Sequence, residues 1–307
     1  MNDATSLLGG VTTPLITPMD ETGRPAADRT APLLGALADA GIDKLMLLGS
    51  NGEGPLLPTS VIGPFLERAV RQWRSLAPGG VATVNVTAGG TLEALERAEL
   101  AAAAGADALV MSPPIYFQHR DDEIVAHYAA LASIGLPVIA YNAPRYSNPL
   151  THDVIDALLD LDHLAGIKDS SGDIDLFGHL VERARTRPGF EVSQGAETHL
   201  AAALELGAHG IVPGIANISP ALSLQLTAAH RAGDRDEMHR LQALVTELTK
   251  LHAIRRGTPG VKEILAQLRL CPPYVAPPLL RCEPDERHAF QEFITAHKEQ
   301  LIRPTKG

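Results

Sequence analysis

The stretch "TLEALERAELAAAAGADALVMSPP", residues 91–114, carries the repeating unit of the whole chain. Residues 91–107 are rich in alanine and leucine, both good helix formers. Gly105 stands where a left-handed residue ends a helix. The run "ALVMSPP" (108–114) then follows. It is apolar on successive residues instead of alternating, as a strand buried on both faces should be. The same helix–glycine–strand junction recurs at Gly41 in "AGIDKL" and at Gly207 in "LGAHGI". Such repetition argues for βα modules around a parallel sheet.

Working outward from this unit, eight strands are expected: "GVTTPLI" (10–16), "KLMLLGS" (44–50), "GVATVNVT" (80–87), "ALVMSPP" (108–114), "PVIAYNAP" (137–144), "LAGIKD" (164–169), "FEVSQG" (190–195) and "GIVPGIA" (210–216). A helix over 28–41 would place Leu33, Leu34, Leu37 and Ala40 on one face. Eight units fit a (β/α)8 TIM barrel, within the α/β class, better than an open doubly wound sheet. No G-x-G-x-x-G follows an early strand, so a dinucleotide-binding sheet lacks its fingerprint. After residue 219 the strand signal stops, and helical patterns continue around the proline-rich "CPPYVAPPLL" (271–280). The expected organisation is a barrel over 1–220 with a C-terminal helical extension, 221–307, packed on it.

The 307 residues are ample for a large core, and 45% are hydrophobic. A net charge of −10, with no basic cluster longer than "IRR" (254–256), argues against nucleic acid and against an anionic membrane as partner. Two cysteines, Cys271 and Cys282, lack zinc-site spacing and suit a reducing, cytoplasmic setting. The N-terminus "MNDATSLLGG" lacks the basic start and long apolar stretch of a signal peptide, and no apolar run reaches membrane-helix length.

In a barrel of this kind active sites gather where strands end and βα loops begin. That rule selects Ser50, Asn51, Gly52 and Glu53 after strand two, and Tyr116 after strand four. It selects Tyr141, Asn142 and Pro144 after strand five, and Lys168, Asp169 and Ser170 after strand six. An amine attacks a carbonyl only when neutral, and removal from water disfavours an ammonium. A lysine so placed can condense with a ketone to give a Schiff base, an electron sink for an adjacent carbon–carbon bond. The alternative is a lysine that snorkels to water. Tyr141 and Tyr116 are each open to two readings, a core ring with a satisfied hydroxyl or a proton relay beside the lysine. The turn "GSNGEG" (49–54) is either a loop that glycine permits or a nest of backbone N–H groups for a carboxylate. Glu53 and Asp169 read as residues that brace their loops by hydrogen bonds, and Asn142 and Pro144 as fixing loop geometry. The 12 histidines are scattered, with no H-x-x-x-H pair, so no metal is expected.

Taken together, "TPLITPMDETG" (13–23), "GIDKLMLLGSNGE" (41–53), "GADALVMSPPIYF" (105–117), "YNAP" (141–144), "GIKDSSGD" (166–173) and "GAHGIVPGIANISP" (207–220) resemble the N-acetylneuraminate lyase and dihydrodipicolinate synthase superfamily. These are pyruvate-dependent class I aldolases on a (β/α)8 barrel. The resemblance implies that Lys168 is the Schiff-base lysine and Tyr141 the proton-relay tyrosine. It implies that Ser50 links that tyrosine to solvent, and that the backbone of Ser50 and Asn51 holds the pyruvate carboxylate. Gly195 and Val212 would lie near the pyruvyl group. Tyr116 matches a tyrosine that crosses a subunit contact to serve a neighbour's site, in a homotetramer built as a dimer of dimers.

On substrate the resemblance divides. Dihydrodipicolinate synthases usually carry an arginine five residues past the Y-N-x-P tyrosine, where this chain has Tyr146, and two threonines where it has Ser50 and Asn51. "GSNGE" is more similar to aldolases of 4-hydroxy-2-oxoglutarate and of 2-keto-3-deoxy sugar acids. Sialic acid lyases use a threonine after the lysine and an acidic pair after strand seven; here stand Ser170 and Glu197, with Thr198 as the second of the pair. The expected activity is a cofactor-independent lyase acting on pyruvate, or another 2-oxo acid, and an aldehyde. The alternatives are a sugar-acid dehydratase or a dihydrodipicolinate synthase using the same imine, a metal-dependent barrel lyase, and, last, a non-catalytic 2-oxo-acid binding protein.

Overall fold

The computed structural model describes residues 6–304. Residues 1–5, where the expected barrel span and the N-terminal "MNDAT" begin, lie outside the described residues, as do 305–307, where the expected extension ends.

Eight parallel strands close into a barrel in sequence order: β1 (Gly10–Pro14), β2 (Lys44–Leu47), β3 (Val81–Asn85), β4 (Ala108–Met111), β5 (Val138–Asn142), β6 (Leu164–Asp169), β7 (Glu191–Gln194) and β8 (Gly210–Ile211). Each expected strand is present, and β6 has the expected bounds. The others end sooner, and the residues beyond them leave the sheet to build loops. β8 is the extreme case: of "GIVPGIA" only Gly210 and Ile211 pair, and a 3₁₀ turn begins at Gly214.

The outer ring comprises α1 (Ala31–Asp39), α2 (Thr59–Leu76), α3 (Thr91–Ala103), α4 (Asp121–Ala130), α5 (His152–Leu159), α6 (Ile174–Arg185), α7 (Leu200–Leu206) and α8 (Pro220–Ala232). The first helix starts three residues later than its hydrophobic pattern suggests, because Ala27–Arg29 form a separate 3₁₀ turn. Gly41, Gly105 and Gly207 adopt φ of +93°, +84° and +112°, the left-handed geometry that stops a helix before the next strand. The span 221–307 expected for the extension takes in α8 from its second residue, and past α8 it holds α9 (Arg235–Leu248), α10 (Leu251–Ile254), α11 (Thr258–Gln267) and α12 (Pro284–His297).

Two apolar layers result. The larger lies between strands and helices and includes Trp73, Phe177 and Phe290, all fully buried. The smaller fills the barrel itself with Leu8, Met46, Ala108, Val110, Ile139, Tyr141, Ala143 and Val212. Burying a large apolar side chain contributes about 1.5–3 kcal/mol, so the strand–helix layer dominates stability. The inner layer sets which side chains stand over the barrel's end. No helix among the described residues is long and apolar enough to cross a membrane.

Candidate active site

Strand pairing brings the central pair together. Tyr141 on β5 is in register with Lys168 on β6, and Asn142 with Asp169. Successive residues of a strand point to opposite faces. Tyr141 and Lys168 therefore share the inner face, whereas Asn142 and Asp169 form a second pair behind them. Lys168 is only 4% exposed; its Nζ lies 4.0 Å from the centroid of the Tyr141 ring and 4.0 Å from Met46 Sδ. Such a cation–ring approach is favourable away from water.

Burial alone would push the Tyr141 phenol up. Burial is the largest single influence, but the positive charge of Lys168 and hydrogen bonding with Ser50, Ser170 and Lys168 together outweigh it and hold the phenol below its ordinary value of 10.0. Ser50 and Ser170 thus approach the phenol from the second and sixth loops. The second pair is a brace: Asn142 Nδ2 donates to Asp169 Oδ1 at 2.7 Å, and Ser171 Oγ donates to Oδ2 at 3.0 Å. Burial pushes the Asp169 carboxyl up, against the pull of Asn142, Ser171 and Gln194.

Gly195 sits directly on the lysine. A Cβ there would come 2.9 Å from Lys168 Cε and would collide with Ser170 Oγ, so the seventh loop passes only because it carries no side chain. Val212 is 1% exposed in the inner layer with Met46 and Tyr141. Glu197 is half-buried; burial pushes its carboxyl up, opposed by the 2.7 Å hydrogen bond that Ile215 N donates to Oε1 and by the charge of Lys168. A Cβ on Gly214 would lie 3.1 Å from Asn51 Nδ2 and 3.2 Å from Glu197 Oε1, which places both side chains against one glycine.

Beside this cluster opens a cavity of about 370 Å3. Ser50, Tyr141 and Tyr146 line it, and Lys168 adjoins its wall through the Tyr141 ring. Tyr116 is not brought to it: the side chain is 89% exposed, its backbone is left-handed (φ +86°), and it packs edge-on against Phe117 with centroids 4.8 Å apart.

Several wall residues escaped the sequence reading. Asn85 and Thr87 stand at the end of β3 and Ser112 just past β4, where the strand-end rule could have found them. Arg256, Gly257, Thr258, Pro259 and Leu279 come from the C-terminal extension, and no periodicity shows that it reaches the barrel mouth. Lys262 of α11 was also missed. It is 0% exposed, and its Nζ meets Glu53 Oε1 at 2.5 Å and donates to the Tyr274 carbonyl at 2.7 Å. Glu53 Oε2 accepts from Ala276 N at 2.6 Å. Glu53 therefore ties the second loop to α11 and to the proline-rich segment. Arg97 of α3 secures the same loop by donating to the Gly54 and Leu57 carbonyls at 3.1 and 2.8 Å. Among the described residues no group of three or more His, Cys, Asp or Glu could hold a metal ion.

Fold and site together define a (β/α)8 barrel with a buried lysine at the end of its sixth strand and a tyrosine in register on its fifth. The model of the dihydrodipicolinate synthetase family matches residues 7–297, and the chain belongs to that family. It is 32% identical to an uncharacterized DapA-like lyase of Halobacterium salinarum, covering 92% of each chain. It is 28% identical to the 4-hydroxy-tetrahydrodipicolinate synthase of Albidiferax ferrireducens, over 96% of this chain and 99% of that one. Among solved structures, dihydrodipicolinate synthase from Bacteroides thetaiotaomicron superposes with a TM-score of 0.88 at 28% identity, over 95% of this chain and all of the other. YagE, a prophage protein of the dihydrodipicolinic acid synthase family from E. coli K12 in complex with pyruvate, shares the fold with a TM-score of 0.89 at 23% identity, over 95% and 99% of the two chains.

Proposed function

We propose that the protein is a Schiff-base lyase of the class I aldolase type. It acts on pyruvate or another 2-oxo acid, such as 4-hydroxy-2-oxoglutarate or a 2-keto-3-deoxy sugar acid. The observation that carries this reading is the buried Lys168 amine 4.0 Å over the ring of Tyr141, on paired strands. A lysine that merely snorkelled to water would extend its amine outward, whereas this one is enclosed.

In this mechanism neutral Lys168 attacks the ketone carbon, and the carbinolamine oxygen leaves as water after taking a proton from Tyr141. In the cleavage direction the tyrosinate accepts the C4 hydroxyl proton as the C3–C4 bond breaks. The bonding pair moves into the iminium as an enamine, and Tyr141 returns the proton to C3. Hydrolysis of the ketimine then frees pyruvate and Lys168. The lowered proton affinity of Tyr141 supports a group that both gives and takes a proton in this cycle. Ser50 and Asn51 would hold the carboxylate, with Gly195 and Val212 against the pyruvyl group and Ser170 and Glu197 facing the leaving portion. Pyruvate bound to the structural relative YagE agrees with this substrate class. Tyr146, where synthases carry an arginine, speaks against lysine biosynthesis as the role.

Borohydride reduction in the presence of pyruvate tests the proposal. A pyruvyl adduct is expected on Lys168, absent in Lys168→Ala, and a wild-type protein with no adduct at that residue refutes it. Product analysis separates lyase from dehydratase, through pyruvate plus an aldehyde against loss of water without fragmentation.

The exposed Tyr116–Phe117 pair supports a homo-oligomer in which Tyr116 completes a neighbour's relay. Mixed oligomers of Tyr116→Phe and Lys168→Ala subunits should then regain activity; confirmed mixing without recovery removes the shared site. A cytoplasmic enzyme that needs no cofactor completes the proposal.

A further inference from the structure

The walls of the cavity carry two charged side chains, Glu53 and Arg256. Glu53 is neutralised by Lys262. Arg256 has no carboxylate or hydrogen-bond partner among the described residues, whereas its chain neighbour Arg255 meets Glu286 at 3.5 Å. Arg145, exposed beside Tyr146 on the fifth loop, is likewise without a partner among the described residues. Burial is the main cause that lowers the proton affinity of the nearby His252; a hydrogen bond to the Arg255 backbone opposes it, and the charges of Arg256 and Arg145 add smaller contributions in the same direction as burial. Arg256 thus stands without a counter-charge on the cavity wall, and Arg145 directly precedes the wall residue Tyr146, in a chain whose net charge is −10.

Three polar side chains of the wall are already engaged with the protein. Asn85 Nδ2 donates to the Leu48 carbonyl at 3.0 Å, Thr87 Oγ1 to Asn85 Oδ1 at 2.7 Å, and Ser112 Oγ to the Pro113 carbonyl at 2.9 Å. The side chains of Leu56, Ile115 and Leu279 fill much of the remainder. A polyhydroxylated chain would find chiefly the Thr258 and Tyr146 hydroxyls to donate to it, and each further buried group left unpaired would cost stability. A short chain ending in an anion meets an arginine instead, whose planar fork suits carboxylate or phosphate oxygens.

We propose that Arg256, assisted by Arg145, binds an anionic group at the far end of the aldehyde partner, so that the preferred substrates are 2-oxo acids carrying a second carboxylate or a phosphate. The inference rests on the lysine-imine reading above. It assigns recognition of the distal end to the C-terminal extension, with Tyr146 left as a wall residue.

The test is condensation of pyruvate with paired aldehydes. Glyoxylate, succinic semialdehyde and glyceraldehyde 3-phosphate are the anionic partners; butanal and glyceraldehyde are the neutral ones. Wild-type kcat/KM should favour an anionic partner by about 10- to 100-fold, with the first two aldehydes against the third separating carboxylate from phosphate. Arg256→Ala should remove that preference by lowering kcat/KM for the anionic partner alone. Arg256→Lys should keep part of it, and Arg145→Ala should lose less than Arg256→Ala. Equal falls for neutral and anionic aldehydes, no wild-type preference, or no turnover of any anionic aldehyde overturns the inference. Borohydride trapping of pyruvate on Lys168, run in parallel, separates the two failures. An intact adduct with no charge preference refutes this inference alone, whereas absence of the adduct in the wild type refutes both.

Discussion

Replacing Lys262 by methionine leaves Glu53 in a place where neither side chain of the original pair reaches water, at 0% and 1% exposure. Glu53 Oε2 keeps its hydrogen bond from Ala276 N, but Oε1 loses the amine 2.5 Å away, and the Tyr274 carbonyl loses its donor. Removing one partner of a buried ion pair costs about 3–5 kcal/mol, because the remaining charge is uncompensated. Unfolding entropy near 2.1 cal/mol/K per residue gives about 0.6 kcal/mol/K for a chain of this length, so Tm should fall by about 5–8 °C. The double variant Glu53→Gln with Lys262→Met removes both charges while leaving an acceptor for Ala276 N. It should return to within about 1–2 kcal/mol of wild type. Urea unfolding followed by far-UV circular dichroism, at one protein concentration, measures all three. Glu53 also holds a left-handed backbone (φ +58°) three residues after Ser50. The single variant should therefore need more pyruvate to half-saturate borohydride trapping. A single variant within 1 kcal/mol of wild type refutes the assignment of this pair as the tie between loop and extension. A double variant as unstable as the single one shows that packing, not charge, is what was lost.

Three further outcomes follow from the geometry. Tyr141→Phe removes the proton relay and should lower kcat by about 10²–10⁴-fold and slow formation of the pyruvyl adduct on Lys168 as well, since water leaves the carbinolamine with the Tyr141 proton; near-normal turnover would show that another group moves the proton. Gly195→Ala introduces a Cβ 2.9 Å from Lys168 Cε and should block adduct formation at a stability loss of about 1–3 kcal/mol, whereas unchanged trapping rates would mean that the seventh loop yields freely. Acid should destabilise the protein partly through His127, whose proton affinity burial, with the charge of His119, lowers from 6.5 to about 4. The unfolded chain binds this proton near pH 6.5 and the folded one only near 4, so stability falls with pH across that window, by about 3 kcal/mol for this residue. His127→Gln should flatten the urea-midpoint profile between pH 7 and 4.5, and an unchanged slope would exclude His127 as a source.

Much of this architecture can be read from linear order. The junctions at Gly41, Gly105 and Gly207 mark βα units because a left-handed residue stops a helix wherever it stands, and a run such as "ALVMSPP" is apolar throughout only when both faces are covered. Lys168 and Tyr141 stand out for the same local reason, each being polar at the end of a buried strand. The partnership between them is a matter of register: the pairing of Tyr141 with Lys168 arises across a turn, a helix and a loop, and a slip of one residue would turn the lysine to the other face. Tertiary structure alone brings Lys262 to Glu53, 209 positions earlier, and sets Arg256 at the cavity mouth. Lys262 lies on a helix whose periodicity tells which face is buried but not what it is buried against, and Arg256 in the loop before that helix. Their meeting depends on how the extension packs over the barrel's end, which is settled by the sum of many small apolar contacts.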